Sequence, residues 1–205
     1  MKDDYFVNHA VAPRWPFTIY HAPVWAYVAK AVAGLPRGAR CLNVGCGLFH
    51  DYPALSTDRL WSACDIDPRC IEAVKTRYPG LDAAVCTDFP DYQAGSFDFV
   101  MAIEVVEHLR HAPTWLQRLF ALGRPGARIL VSTPNYGISM LPVVEYTALE
   151  VLARLRGFSR FGIHPNKYTR QRLACEVRQA APAGARVEVR RLSMGMVLMA
   201  DVRVP

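Results

Sequence analysis

With 205 residues, the chain is long enough to bury an ample core as one domain without disulfide or metal staples. A composition of 52% hydrophobic and 20% charged residues excludes a disordered polymer, and no run reaches the ~18–20 apolar residues of a membrane span. The net charge of +6 is uneven: residues 1–109 hold 9 basic and 13 acidic side chains, a balance of −4, and residues 110–205 hold 15 and 5, a balance of +10. A basic second half suits an anionic partner, or it is a solvated arginine surface. The opening segment, "MKDDYFVNHAVAPRWPF", lacks the apolar run of a secretory leader, so a cytoplasmic protein is expected. Six cysteines form no C-x-x-C pair, which favours buried small hydrophobes in a reducing compartment over a zinc or disulfide framework.

The first expected element is a helix over 22–35, "APVWAYVAKAVAGL". Short apolar runs follow at 41–45, 60–65, 81–86, 97–103 and 127–132, each bounded by Gly, Pro or Asp, as buried parallel strands are. Between the second and third, "DPRCIEAVKTRYP" opens on an Asp cap and a first-position proline, and sets Ile71, Val74 and Tyr78 on one face. After the fourth, "APTWLQRLFALGRPG" sets Trp115, Leu116, Leu119 and Leu122 on one face and is expected to end near Gly123. Alternating strand and helix predict an α/β fold, a Rossmann-like doubly wound sheet. A helix over 141–158 is expected next, with Val144, Ala148, Val151, Leu152 and Leu155 near one face. Another is expected over 169–181. Two alternating runs around "SMG" close the chain as a hairpin. The expected organisation is a single domain over 1–205, with an inserted lid or acceptor-pocket segment at about 136–168. A dimer face or a membrane-surface helix are alternative uses of that segment.

"LNVGCG" follows the first strand, and Gly45 and Gly47 let the backbone turn sharply and approach a ligand. The second strand ends in "ACDIDP", where Asp65 or Asp67 is placed to accept hydrogen bonds from ribose hydroxyls, unless Asp67 only caps a helix. The third ends in "CTDFP", with Asp88 for an adenine amino group and Phe89 to stack on the ring. These motifs, with "GSFDFVMAIEVVEHL" and "LGRPGARILVSTPN", stand in the order and spacing of the class I S-adenosylmethionine-dependent methyltransferases, which the chain resembles over about residues 38–135. The resemblance implies seven strands, mostly parallel with an antiparallel last strand. It also implies S-adenosyl-L-methionine as cofactor. Gly45 and Gly47 would pass its methionine part, Asp65 would hold the ribose and Asp88 the adenine. Asn43, Cys46, Ile66, Phe89 and Ile103 complete the implied cofactor set. Asn43 stands where the family usually has an acid. Phe49 stands where a third glycine is common, and is expected to narrow the turn.

"EVVEH", residues 104–108, looks like the sequence of the ubiquinone-biosynthesis O-methyltransferase group. It is also similar to the E-x-x-E-H of small-RNA 3′-terminal 2′-O-methyltransferases, in which both glutamates, that histidine and a later histidine bind a divalent metal. His164, before Tyr168, Thr169 and Arg170, matches the later one. The resemblance thus implies a Mg²⁺, Mn²⁺ or Zn²⁺ site of Glu104, Glu107, His108 and His164, which would lower the pKa of an acceptor hydroxyl. Without metal, Glu104 contacts substrate or cofactor, Glu107 caps a helix and His108 is the catalytic base. Arg154, Arg156, Arg160, Lys167, Arg170 and Arg172 cluster in or beside the 136–168 segment and suit a phosphate or carboxylate. The expected function is methyl transfer to oxygen of a small acceptor, anionic if that cluster meets it. Nucleic acid, through RNA ribose methylation, and a non-catalytic cofactor-binding subunit are the alternatives.

Overall fold

The structure is a computed structural model that describes residues 15, 17–55, 58–86, 92–155 and 164–205. The five apolar runs form β1 (Arg40–Val44), β2 (Leu60–Asp65), β3 (Asp82–Val85), β4 (Phe97–Ile103) and β5 (Gly123–Pro134). The tail forms β6 (Arg186–Leu192) and β7 (Val197–Arg203). All seven make one sheet in the order β3-β2-β1-β4-β5-β7-β6. β1 to β5 pair in parallel, and β7 lies antiparallel between β5 and β6.

Helices α1 (Thr18–Ala33) and α2 (Pro68–Arg77) cover one face, and α3 (Ala112–Ala121) covers the other. β4 shows why its sequence is apolar throughout. Val100 and Ala102 enter the core under α3, while Phe99 and Met101 enter the core under α1 and α2. α2 begins as its sequence dictates: Asp67 accepts from the Arg69 backbone N–H, and Pro68 takes the first turn. Cys41, Cys46, Cys64 and Cys70 are buried as free thiols, whereas Cys175 is exposed. No helix among the described residues is long and apolar enough to cross a membrane.

Three elements differ from expectation, the first being α1, which starts at Thr18 rather than at 22. β5 starts at Gly123 rather than at 127, because Gly123 pairs with Phe97 before a register shift in β4. The segment after β5 forms α4 (Leu141–Val144) and α5 (Glu150–Leu155), joined by a π-helical turn (Glu145–Leu149). The wider turn rotates the stripe. Leu141, Glu145, Glu150 and Ala153 face inward, and Val151 and Leu155 are 58% and 79% exposed. The expected continuation to 158 lies outside the described residues. α6 (Arg170–Ala180) then packs beside α3, with Leu173 and Val177 in the shared core.

Candidate active site

The crevice at the carboxyl ends of β1, β2 and β4 starts with a glycine turn. Gly45 has φ +70°, and a Cβ there would come 2.5 Å from Cγ2 of Val105. Only glycine lets the turn lie against the exit of β4. The Gly45 and Cys46 N–H groups both donate to the Cys64 carbonyl, at 2.8 and 3.0 Å. Gly47 N–H donates to Asp65 Oδ2 at 2.8 Å and Asp67 N–H to Oδ1 at 2.9 Å. Asp65 thereby clamps the turn to the end of β2. Burial pushes its carboxyl up, opposed by these backbone bonds. The Asp67 carboxylate instead binds Arg69, by Nη2 at 2.6 Å, besides capping α2. Ile66, next to Asp65, is 50% exposed.

Gly45, Cys46, Gly47, Asp65 and Ile66 are thus brought to one place, with Asn43 behind them on β1. Asn43 is buried between Ala63 and Met101, and its Oδ1 has no hydrogen-bond partner among the described residues. A glycine turn clamped to a buried strand-end acid, backed by an orphaned acceptor, fits the methionine and ribose parts of S-adenosylmethionine. Ile103 ends β4 and packs on the core beneath α1. Asp88 and Phe89 lie outside the described residues. Phe49 does not narrow the turn as expected. At φ +47° its ring swings into the core against Tyr52 and Trp61, with centroids 5.1 and 5.5 Å away.

Glu104 follows β4 with φ +58°, a strained conformation for a non-glycine residue. Its N–H donates to the Ser132 carbonyl at 3.2 Å. Its Oε1 accepts from Ser132 Oγ at 3.0 Å, and its Oε2 accepts from the Tyr20 hydroxyl of α1 at 2.5 Å. Burial pushes the Glu104 carboxyl up to about 7, against those two hydrogen bonds.

One turn later, a 3₁₀ segment (Val106–His108) carries Glu107 and His108. Glu107 is 0% exposed, and neither carboxylate oxygen has a well-formed hydrogen bond among the described residues; the Thr133 hydroxyl and a backbone N–H lie near enough only to offset part of its burial. His108 Nε2 stands 4.0 Å from its Oε1. Burial first, and the Glu104 charge second, hold the Glu107 carboxyl well above its usual range. The residue lies within the turn rather than capping it, since Val105 is the cap residue.

The distant histidine arrives through a backbone clamp. Tyr168 bridges to Asn135, Tyr136 N–H donates to the Tyr168 carbonyl at 2.8 Å, and Asn166 N–H donates to the Glu107 carbonyl at 3.0 Å. The Asn166 amide also donates to the Leu109 carbonyl. This brings the His164 ring to 5.0 Å from the His108 ring. Glu107, His108 and His164 each offer a ligand atom within 4.8 Å of the others. Glu104 lies outside that group, its oxygens held by Tyr20 and Ser132. Two further side chains reach His164. The Tyr136 hydroxyl is 2.6 Å from Nδ1 and donates to Glu145 Oε2 at 2.6 Å. Tyr20, Ser132, Tyr136 and Glu145 had no part in the sequence expectation.

The arginine cluster is largely engaged by the fold. Arg154 pairs with Glu150 at 2.7 Å and Arg172 with Glu176 at 2.8 Å, while Arg170 donates to the Val189 carbonyl at 3.2 Å. Lys167 sits over the Tyr146 ring, 5.0 Å from its centroid. Arg156 and Arg160 lie outside the described residues.

A doubly wound sheet with its last strand reversed, a glycine turn after the first strand and a buried acid ending the second define a class I S-adenosylmethionine-dependent methyltransferase. A methyltransferase-domain family profile matches residues 20–180, and the chain belongs to that family. It is 31% identical over 110 residues to a ubiquinone biosynthesis O-methyltransferase of Xanthomonas axonopodis pv. citri, covering 49% of this chain and 45% of that protein. It is 29% identical over 115 residues to a tRNA (carboxymethyluridine(34)-5-O)-methyltransferase of Xenopus tropicalis, covering 54% of this chain and 18% of that protein. The chain therefore matches less than half the length of either relative. Among solved structures, an S-adenosylmethionine-dependent methyltransferase of Aquifex aeolicus superposes with TM-score 0.67 at 15% identity, covering 100% of both chains. A phosphoethanolamine N-methyltransferase of Haemonchus contortus, solved with S-adenosylmethionine, gives TM-score 0.62 at 14% identity over 88% of this chain and 45% of that one. At such identities the likeness is one of fold.

Proposed function

We propose that the protein methylates a hydroxyl oxygen of a small acceptor, with S-adenosylmethionine held by Asn43, Gly45, Cys46, Gly47, Asp65 and Ile66. The observation that carries the reading is Glu107. It is a fully buried carboxylate whose only donors are the Thr133 hydroxyl and a backbone N–H, both too weakly aligned to offset its burial, beside His108 and His164 and one turn past the end of β4. An ionised carboxylate so placed costs several kcal/mol unless a cation compensates it. Without a cation its raised carboxyl keeps the proton; with one, Glu107, His108 and His164 offer the donor set for a divalent ion, Mg²⁺, Mn²⁺ or Zn²⁺, which they would hold and which would lower the pKa of a hydroxyl near it. Bound S-adenosylmethionine supplies an electrophilic methyl group.

The chain's own residues do the rest. Asp65 and Gly47 fix the ribose side. Glu104, with its carboxyl near 7 and its oxygens pinned by Tyr20 and Ser132, exchanges a proton close to neutral pH where the acceptor enters. The O-methyltransferase relatives support oxygen as the methylated atom. The engagement of Arg154, Arg170 and Arg172 within the fold supports a small acceptor over a long polyanion. One observation favours RNA as a second reading: His164 stands by Glu107 and His108, three of the four residues that the resemblance to small-RNA methyltransferases names, with Glu104 outside the group.

Transfer of a labelled methyl group to a panel of phenols and catechols, and to short RNAs, tests this before and after exhaustive chelation. Expected is turnover on a small hydroxylated acceptor that stops on chelation, returns with Mn²⁺ or Zn²⁺, and leaves cofactor binding intact. Labelling of RNA alone would move the assignment to RNA. Full activity in metal-free protein would make His108 the base. Cofactor binding with no transfer to any acceptor would indicate a non-catalytic subunit.

A further inference from the structure

We propose that Tyr136 and Glu145 are positioning residues that hold neutral His164 as its Nδ1–H tautomer, leaving Nε2 as the nitrogen with the lone pair. The consequence for chemistry rests on reading Glu107, His108 and His164 as a ligand or base group. The tautomer itself rests on the geometry by which the Tyr136 hydroxyl donates to Glu145.

The Tyr136 hydroxyl has one proton and stands 2.6 Å from two partners, Glu145 Oε2 and His164 Nδ1. The hydroxyl is aligned to donate to Glu145 Oε2, which accepts. If the hydroxyl gave its proton to Nδ1, two oxygens carrying lone pairs would face each other at 2.6 Å with no hydrogen between them. The proton therefore goes to Glu145, and the tyrosine oxygen accepts from Nδ1–H. Glu145 Oε1, at 3.6 Å from Nδ1, favours the same arrangement by attraction. Glu145 is only 1% exposed, which keeps water from taking over either role. Its place at the start of the π-helical turn brings it to Tyr136. A neutral imidazole has a single lone pair, and both metal binding and proton abstraction need it on the nitrogen that meets the reacting group. A carboxylate–tyrosine pair on Nδ1 makes that choice before any ligand arrives, as outer partners of ligating histidines do.

The test uses full-length, metal-free protein with ¹⁵N-labelled histidine, observed by long-range ¹H–¹⁵N NMR at a pH where His164 is neutral. Wild type should show His164 protonated at Nδ1. Tyr136→Phe should lose that preference and bind Mn²⁺ or Zn²⁺ about 10–100-fold more weakly by calorimetry. Glu145→Gln, whose amide carbonyl still accepts the tyrosine proton, should keep the tautomer. If one variant misfolds, the wild-type spectrum and the other variant decide. Protonation at Nε2 in wild type, an unchanged tautomer in Tyr136→Phe, or, where wild type binds the metal, unweakened binding by that variant would overturn the inference. The expected tautomers with no metal bound to wild type would leave it standing and remove the metal reading instead.

Discussion

Asp65 and Asp67 stand two residues apart at the same strand end, yet the fold gives them different work. Both Asp65 oxygens accept backbone N–H groups from the crevice, and the Asp67 carboxylate turns away to Arg69 and α2. Asp65→Ala should therefore weaken S-adenosylmethionine binding by roughly 1.5–3 kcal/mol, the range for hydrogen bonds to a charged group. Asp67→Ala should leave affinity in place and lower stability by about 1 kcal/mol through loss of a helix cap. Calorimetry and denaturant titration separate the two, and equal affinity in both variants would remove Asp65 from the cofactor site. Gly45, Gly47, Asp65, Glu107 and His108 were legible in the sequence because their chemistry is written in short local spacings. Tyr20 and Ser132 were not, since they reach Glu104 from 84 and 28 residues away, and a lone Tyr or Ser in an apolar run carries no signal. The inward turn of Phe49 depends on a positive φ that its residue type argues against.

Between elements, the closest fit is that of the β1 turn against the exit of β4. Gly45→Ala would bring a Cβ within 2.5 Å of Val105 Cγ2 and would also hold an L-residue at φ +70°. The expected loss of stability is roughly 1–3 kcal/mol. Val105→Ala in the same chain should recover the steric part and leave the roughly 1–2 kcal/mol of left-handed backbone strain. A double-mutant cycle on urea midpoints measures the coupling, and strictly additive losses would mean that the two elements are not in contact. The strands were readable because a sheet covered on both faces writes itself as unbroken apolar runs. α2 was readable because its cap and its proline are local. The segment after β5 misled: a period of 3.6 put Val151 and Leu155 inward, while the π-helical turn brings in Glu145 and Glu150. Those acids are bonded by Tyr136 and Arg154, and a pattern reading of apolar positions cannot see such partners.

Across the whole molecule, the two ends of the sheet respond to pH in opposite senses. At the amino ends of the parallel strands, Arg128, Arg203 and Arg186 pair in one row, about 13 Å along β5 from Ser132 and Glu104. A basic groove of ≈ 480 Å³ opens there, lined also by Lys30 and Arg190. Within it Asp201 accepts from Arg128 Nη2 at 2.5 Å and from the Tyr27 hydroxyl at 2.7 Å. Burial alone would raise the Asp201 carboxyl, but these bonds outweigh it and hold the group below 3.8. Its contribution to stability is complete above the unfolded value and is lost as pH falls. At the carboxyl ends, Glu104 is raised from 4.5 to about 7, so the folded state keeps a proton that the unfolded state releases. Stability is then lost as pH rises through that window, and Glu107 is pushed the same way by burial. Metal-free protein should accordingly be most stable near pH 4.5. It should lose on the order of 1–3 kcal/mol between there and pH 7, in addition to its losses in stronger acid. Urea midpoints measured from pH 3 to pH 8 check the curve. Glu104→Gln should make the neutral side shallower without touching the acid side, and Asp201→Asn should do the reverse. A wild-type curve that is flat from pH 4.5 to 7, or that Glu104→Gln leaves unchanged, would mean that Glu104 is ionised and solvated in the folded protein and cannot exchange a proton near neutrality as the proposed chemistry needs.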